Sequence, residues 1–333
     1  MMSATKKKLT TSAMIASIAS EGQETISAPF GHALVEVAKK NANIVGLTAD
    51  LAKYTDLHIF RDEFPQRFYQ MGMAEQLLLA SAGGMAKTGL VPFVTSYAVF
   101  ATRRAFDFIH QVIAEEHLNV KICAALPGLT TGYGPSHQAC EDLALMRAIP
   151  NMMVIDPCDA VEIEQIVPVI AEYQGPVYMR LLRGRVPKVL DKYNYQFKLG
   201  KAQLIKTGKD VLFVSTGLMT MRVLEAAEAL EKEQIDVGVL HVPTIKPLDT
   251  ETILKEIGSQ PNRLIVSAEN HTIIGGLSEA LSLTLMNNGL GQINYKQITL
   301  PDAFLDAGAL PTLHERYGIS LDRICTQIKQ WLK

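Results

Sequence analysis

Cysteine is scarce in this chain, and an excess of either charge is missing. The four cysteines, at 123, 140, 158 and 325, are widely spread and form no CxxC pair. That removes zinc knuckles and dithiol redox motifs and leaves reduced thiols, the expectation for a cytoplasmic protein. Lys and Arg number 32 against 34 Asp and Glu, a net charge of -2. Nothing electrostatic therefore favours nucleic acid or an anionic membrane as a partner. No stretch reaches the roughly eighteen apolar residues of a membrane helix. Nucleotide loops are absent too: no GxGxxG follows a first strand and no GxxxxGK[ST] occurs, so the usual dinucleotide and P-loop fingerprints are excluded. The opening MMSATKKKLTTSAMIASIA has a basic patch, but its apolar part is short and broken by Ser. A secretory leader needs a longer apolar core, so residues 1–24 read as an N-terminal arm.

What the chain does have is apolar material, 48% of 333 residues, enough for the cores of one large or two medium domains. In SAPFGHALVEVAKK (27–40) apolar residues recur at helical spacing and lysines close the end, which predicts a helix. IVGLTAD (44–50), VPFVTSY (91–97), VKICAAL (120–126), MMVIDP (152–157) and PVYMRLL (176–182) read as strands. Helical patterns at 75–88, 102–116, 140–149 and 160–173 lie between them. Such alternation predicts an α/β fold with a mostly parallel sheet covered on both faces. Residues 185–200 are charged, contain Pro and lack a period, and read as a linker. A smaller α/β unit follows over 201–333, with strands at 210–217, 235–247, 263–270 and 293–301 and helices at 219–234, 277–289 and 320–333. Ligands of open sheets lie beyond the carboxyl ends of the strands, which directs attention to the loops ADLAKYTD, SYAVF and PGLTTGYGPSHQ.

The chain carries an ordered series of segments: LTADLAKYTD, RFYQMGMAEQ, SYAVF, GLTTGYGPSHQACEDLALMRAIPNMMVIDPCD, GPVYMRLLRGR and ENHTIIGGLSEA. In this order they resemble the transketolase family, specifically its pyrimidine-binding domain (25–184 here) and its C-terminal domain (201–333). The resemblance implies thiamine diphosphate as cofactor, with the protein positioning and tuning it. The family's diphosphate side, a GDG segment followed by an Asn-containing metal-binding stretch, has no counterpart in this sequence. The resemblance therefore implies a split enzyme. An N-terminal transketolase subunit would hold the diphosphate and its Mg2+, and this chain would supply the pyrimidine side.

Roles carried over from the family remain implications of the resemblance. Glu75 would contact N1′ of the aminopyrimidine and help activate the cofactor; read alone, a Glu at a helix start complements the dipole. Phe100 would stack on the pyrimidine and Tyr97 line its pocket, the plainer reading of both being core packing. Arg103 stands where transketolases often have an aromatic, and either alters the pocket wall or faces solvent. His137, after Gly134, Pro135 and Ser136, would reach substrate oxygens near the reactive carbon, where a neutral imidazole can move a proton. Gln138 would orient it or contact a linked loop. Asp50 would support the cofactor pocket or cap the next turn. Arg183 and Arg180 would bind a substrate phosphate through their guanidinium forks.

The implied activity is transfer of a two-carbon ketol unit from a ketose, or its phosphate, to an aldose. The loop before His137 is shorter than in ordinary transketolases and uncharged, so the sugar stays open. A 2-oxo acid dehydrogenase E1 beta subunit, a deoxyxylulose-phosphate-synthase-like subunit and a non-catalytic structural half are the alternatives. The joint presence of Glu75, Phe100 and His137 argues against the last. Closed two-fold symmetry is the commonest assembly, which predicts a homodimer core of this chain and a heterotetramer with the partner subunit.

Overall fold

Ile18 and residues 22–260 and 262–333 are described by the computed structural model. Apart from Ile18 and residues 22–24, the arm expected over 1–24 lies outside the described residues. Ile44–Thr48, Val91–Tyr97, Lys121–Ala125 and Val177–Leu181 are strands in which every residue is buried. Runs of this kind have no polar face to present, so they fit only the interior of a sheet packed on both sides. They pair in parallel, and Met153–Ile155 extends the sheet beyond Val177–Leu181. At the opposite edge lies Phe68–Gln70, a three-residue strand that the sequence pattern does not reveal.

Local chemistry fixes the covering helices. Pro29–Lys40 opens with Pro and closes on Lys39 and Lys40, which suits the unpaired first turn and the negative end of the helix dipole. Ala160–Glu172 is capped by Asp159, whose carboxylate accepts the Glu162 amide at 2.9 Å, a contact of the kind whose loss costs about 1 kcal/mol. The helix expected over 102–116 is instead a helix at Ala98–Arg104, a short turn at Phe106–Phe108 and a π-helical stretch at Ile109–Ala114. The earlier start places Phe100 and Arg104 four residues apart on one helix, and so on one face.

The second sheet has five strands in the order Tyr295–Leu300, Leu264–Thr272, Val211–Ser215, Val237–His241 and Gln203–Lys206. All its pairings are parallel except that of the last strand. The run 235–247, expected as one strand, is divided. Val237–His241 belongs to this sheet, whereas Thr244–Lys246 pairs antiparallel with Met153–Ile155 and completes a seven-stranded first sheet. The second unit thus contributes an edge strand to the first, and one hydrophobic cluster runs from Phe30 through to Ile328. The segment 185–200 connects the units as a packed strap: Arg185–Pro187 pairs with Thr25–Ser27, and Leu190, Tyr195 and Phe197 are buried. Among the described residues no helix is long and apolar enough to cross a membrane.

Candidate functional site

The carboxyl edge of the first sheet carries the loops of interest. Lys121–Ala125 leaves the sheet through Leu126, whose φ of 57° is left-handed, a conformation that a branched residue adopts only under constraint. The loop 127–138 closes on itself where the Gly128 amide donates to the Ala139 carbonyl at 2.8 Å. Gly128 itself has φ +58°, and a Cβ there would lie 2.2 Å from the Asn270 carbonyl oxygen. Only glycine fits that position.

The second unit holds this loop from below. Leu129 donates its amide to Asn270 Oδ1 at 2.9 Å, and its carbonyl accepts from His314 Nε2 at 2.9 Å. Gln138 Nε2 donates to the Asp306 carbonyl at 3.0 Å, so Gln138 contacts the neighbouring segment. Gly308 donates to the Gly132 carbonyl at 3.0 Å. Burial pushes the His314 imidazole down to about 4, which keeps it neutral in its contact with Leu129. Sequence reasoning missed the part played by Asn270, Asp306 and His314, because nothing local to them signals a loop more than a hundred residues away.

His137 is presented from this scaffold. Its amide donates to the Gly134 carbonyl at 3.0 Å, and its Nδ1 pairs with Ser136 Oγ at 2.9 Å. The half-buried ring packs against Tyr133, Phe100 and Tyr97, with centroids 5.1, 5.3 and 6.3 Å away. Burial, seconded by the charge of Arg104, lowers the His137 pKa, so the ring stays neutral where an ordinary histidine is already partly charged.

Beyond Phe100 lies Glu75, the first residue of the helix Glu75–Lys87. Its carboxylate is buried, at 5% exposure, and accepts from Arg104 Nη1 at 3.2 and 3.3 Å. The Arg104 guanidinium also lies over the Phe100 ring, 4.2 Å from its centroid. The structure thus strings His137, Phe100, Arg104 and Glu75 together. The one sequence signal for Arg104 is its four-residue spacing from Phe100, which places both on one helix face. Arg103 instead pairs with Glu141 at 3.2 Å and donates to the Pro135 carbonyl at 3.4 Å.

Tyr97 is buried, and burial raises its hydroxyl pKa against the opposing charge of Arg183. Arg183 also acts on Asp56, whose carboxyl is raised by burial and held down in part by the Gly184 amide and by Arg183. The Arg183 Nε is buried and without a hydrogen-bond partner, an open donor of the kind that calls for an acceptor. Asp50 is exposed, with φ 57°. It is held by Gln70, which accepts its amide at 2.7 Å and donates to its carboxylate at 3.2 Å.

Arg180 requires a correction. The sequence expectation has it meet substrate, but its side chain is 2% exposed and its nitrogens are already engaged. Nε and Nη2 donate to Asp142, the former at 2.9 Å, and Nη1 donates to Asp156 at 3.1 Å and to the Asn270 carbonyl at 3.2 Å. Burial works to raise the Asp142 carboxyl, but Arg180 outweighs it and the net shift is downward. Asp156 is pushed up to about 6 by burial despite Arg180. Arg180 therefore ties Asp142 and Asp156 to the second unit through the Asn270 carbonyl, and each of its nitrogens is already engaged.

A buried carboxylate and an aromatic face that meet the same planar group fit an aminopyrimidine protonated at its ring nitrogen, whose N–H needs an acceptor and whose face needs a surface to stack on. Glu75 and Phe100 provide both. A magnesium diphosphate asks for a set of oxygen ligands, and among the described residues no group of three or more His, Cys, Asp or Glu is placed to hold a metal ion.

Comparison with known proteins matches both units of the chain. Residues 23–188 match the family model described as transketolase, pyrimidine binding domain, and residues 200–324 match transketolase, C-terminal domain. An uncharacterized transketolase family protein of Sinorhizobium fredii is 65% identical over 329 residues, covering 99% of this chain and 95% of its own length. The 6-deoxy-6-sulfo-D-fructose transketolase subunit of a Clostridium species is 36% identical, covering 87% of this chain and 89% of its own length. Among solved structures, a split gene transketolase described as an inactive beta4 tetramer superposes with a TM-score of 0.82 at 39% identity, covering 92% of this chain and 97% of its own.

Proposed function

The chain belongs to the transketolase family as one of its subunits, and from that premise we propose that it is the pyrimidine-side half of a two-subunit, thiamine-diphosphate-dependent transketolase. The observation that carries the proposal is the convergence of the buried Glu75 carboxylate and the Phe100 ring on one planar group. When bound, thiamine diphosphate supplies the carbanion-stabilising chemistry that breaks and remakes a ketose carbon–carbon bond. This chain's residues prepare the site. Glu75 holds a proton at ring nitrogen N1′, Phe100 fixes the plane of the ring and Tyr97 closes the pocket behind it. Asp50 supports the rim. His137, kept neutral by its surroundings, takes and returns the proton of the substrate hydroxyl beside the reactive carbon.

Arg183, with an unpartnered Nε, faces the anionic end of the sugar. The Clostridium relative is named for a sulfonated ketose, and a guanidinium donates to a sulfonate or a phosphate alike. The partner N-terminal subunit holds the diphosphate and Mg2+. A surface awaiting a partner supports this: Met73 and Leu77, on either side of Glu75, are 82% and 53% exposed, unusual for apolar residues beside a buried carboxylate. Two copies of this chain form the core and two partner chains complete a heterotetramer. The solved split gene transketolase is described as inactive in its beta4 form, which suits a chain that is idle without its partner. Free cysteines at 123, 140, 158 and 325 suit a cytoplasmic location.

Reconstitution tests the proposal. This chain, a partner bearing the diphosphate domain, thiamine diphosphate and Mg2+ should together transfer a ketol unit, and neither chain should do so alone. Decarboxylation of pyruvate by the pair, in place of ketol transfer, would reject the transketolase assignment.

A further inference from the structure

Arg104 makes both contacts that the aminopyrimidine requires. Its Nη1 donates to the Glu75 carboxylate at 3.2 and 3.3 Å, and its guanidinium lies 4.2 Å from the Phe100 centroid. Like the aminopyrimidine protonated at N1′, a guanidinium is flat and cationic, points an N–H donor at the carboxylate and stacks on an aromatic face. A carboxylate that is 5% exposed also needs a counter-charge when no ligand is present. Arg104 can supply that charge and still leave, because its side chain is 55% exposed and it ends the helix Ala98–Arg104. Arg183 differs from it, since Arg183 keeps an unpartnered nitrogen.

We infer that Arg104 is a stand-in for the cofactor ring: in the free subunit it occupies the place between Glu75 and Phe100, and it swings out to solvent when the aminopyrimidine binds. The inference rests on the function proposed above and adds a competition to it. The ring displaces a tethered guanidinium, so the free subunit takes up cofactor more weakly than its pocket alone would allow. The buried carboxylate meanwhile never stands unpaired, which protects the subunit before it meets its partner.

The test uses the full chain alone and the ring half of thiamine, 4-amino-5-hydroxymethyl-2-methylpyrimidine, as probe, with binding followed by ligand-observed NMR. Arg104→Ala should bind the probe about 10-fold more tightly than the wild type, equivalent to about 1.4 kcal/mol. Free guanidinium at low millimolar concentration should then compete with the probe in Arg104→Ala and have little effect in the wild type. Glu75→Gln should abolish binding in either background. Equal or weaker binding by Arg104→Ala, with the probe still lost in Glu75→Gln, would overturn the inference and leave the functional reading standing. Failure of every protein to bind the ring would overturn both.

Discussion

Replacing Arg180 with Met would keep the length of the side chain and remove the charge that Asp142 and Asp156 share. Both carboxylates are buried, and Arg180 between them is 1% exposed. Removing one partner of a buried pair costs about 3–5 kcal/mol, because the charge left behind has no compensation. The Asn270 carbonyl loses a donor as well. The carboxylates can limit the loss by taking up protons, and Asp156, already pushed up to about 6 by burial, is the readier to do so. The sign follows from linkage. Without Arg180 the folded carboxylates have pKa values above their unfolded ones, so the folded variant binds more protons than the unfolded chain and gains stability as pH falls. The gap between wild type and Arg180→Met should therefore be about 3–5 kcal/mol at neutral pH and shrink towards about pH 5. Urea denaturation followed by circular dichroism at several pH values measures it. Adding Asp142→Asn should restore part of the loss, since the two residues share one network. A gap below about 1 kcal/mol, or one that ignores pH, would refute the reasoning.

Other expectations are independent of that network. In NMR titration of the free chain, His137 should titrate below the ordinary histidine value of about 6.5, and Arg104→Ala should move it upward, because Arg104's charge assists burial in lowering it; an unperturbed or raised value would contradict the site geometry. Gly128→Ala should displace the His137 loop, since a Cβ would meet the Asn270 carbonyl at 2.2 Å. Turnover of the assembled pair should fall at least about 10-fold, in the range expected for a misplaced acid–base group, while ring binding at Glu75 and Phe100 persists. Lys121 is buried, its pKa lowered to about 7, and it donates to the Tyr173 and Gly175 carbonyls at 2.7 Å. The unfolded chain binds more protons between about 7 and about 10.5, so stability attributable to Lys121 rises with pH across that window. Lys121→Met should abolish that rise when the two denaturation profiles are subtracted.

Much of the architecture was legible because strands buried on both faces read as unbroken apolar runs, and Ile44–Thr48 and Val211–Ser215 are of that kind. Thr244–Lys246 was not legible. Its three residues carry no period, and its partner strand, Met153–Ile155, belongs to the other unit. The position of Glu75 was accessible through its motif, whereas its neighbour Arg104 was not, because the helix that aligns it with Phe100 starts at Ala98 rather than at 102. Arg180 misled for a physical reason. An arginine near a strand end suggests a ligand, but Val177–Leu181 is buried throughout, and a charge inside such a strand has to be paired internally. Asp142 and Asp156 were the available partners, each placed by a separate element.

Deuterium exchange at the C2 proton of the cofactor's thiazolium ring tests the central claim most directly, because it reports cofactor activation without any sugar. With the partner subunit, thiamine diphosphate and Mg2+, this chain should accelerate exchange strongly over free cofactor. The partner alone should not, and the pair carrying Glu75→Gln should lose at least about 100-fold, the scale of a missing general acid–base group. Full exchange by the partner alone, or by the Glu75→Gln pair, would contradict the account of this chain as the half that switches the cofactor on.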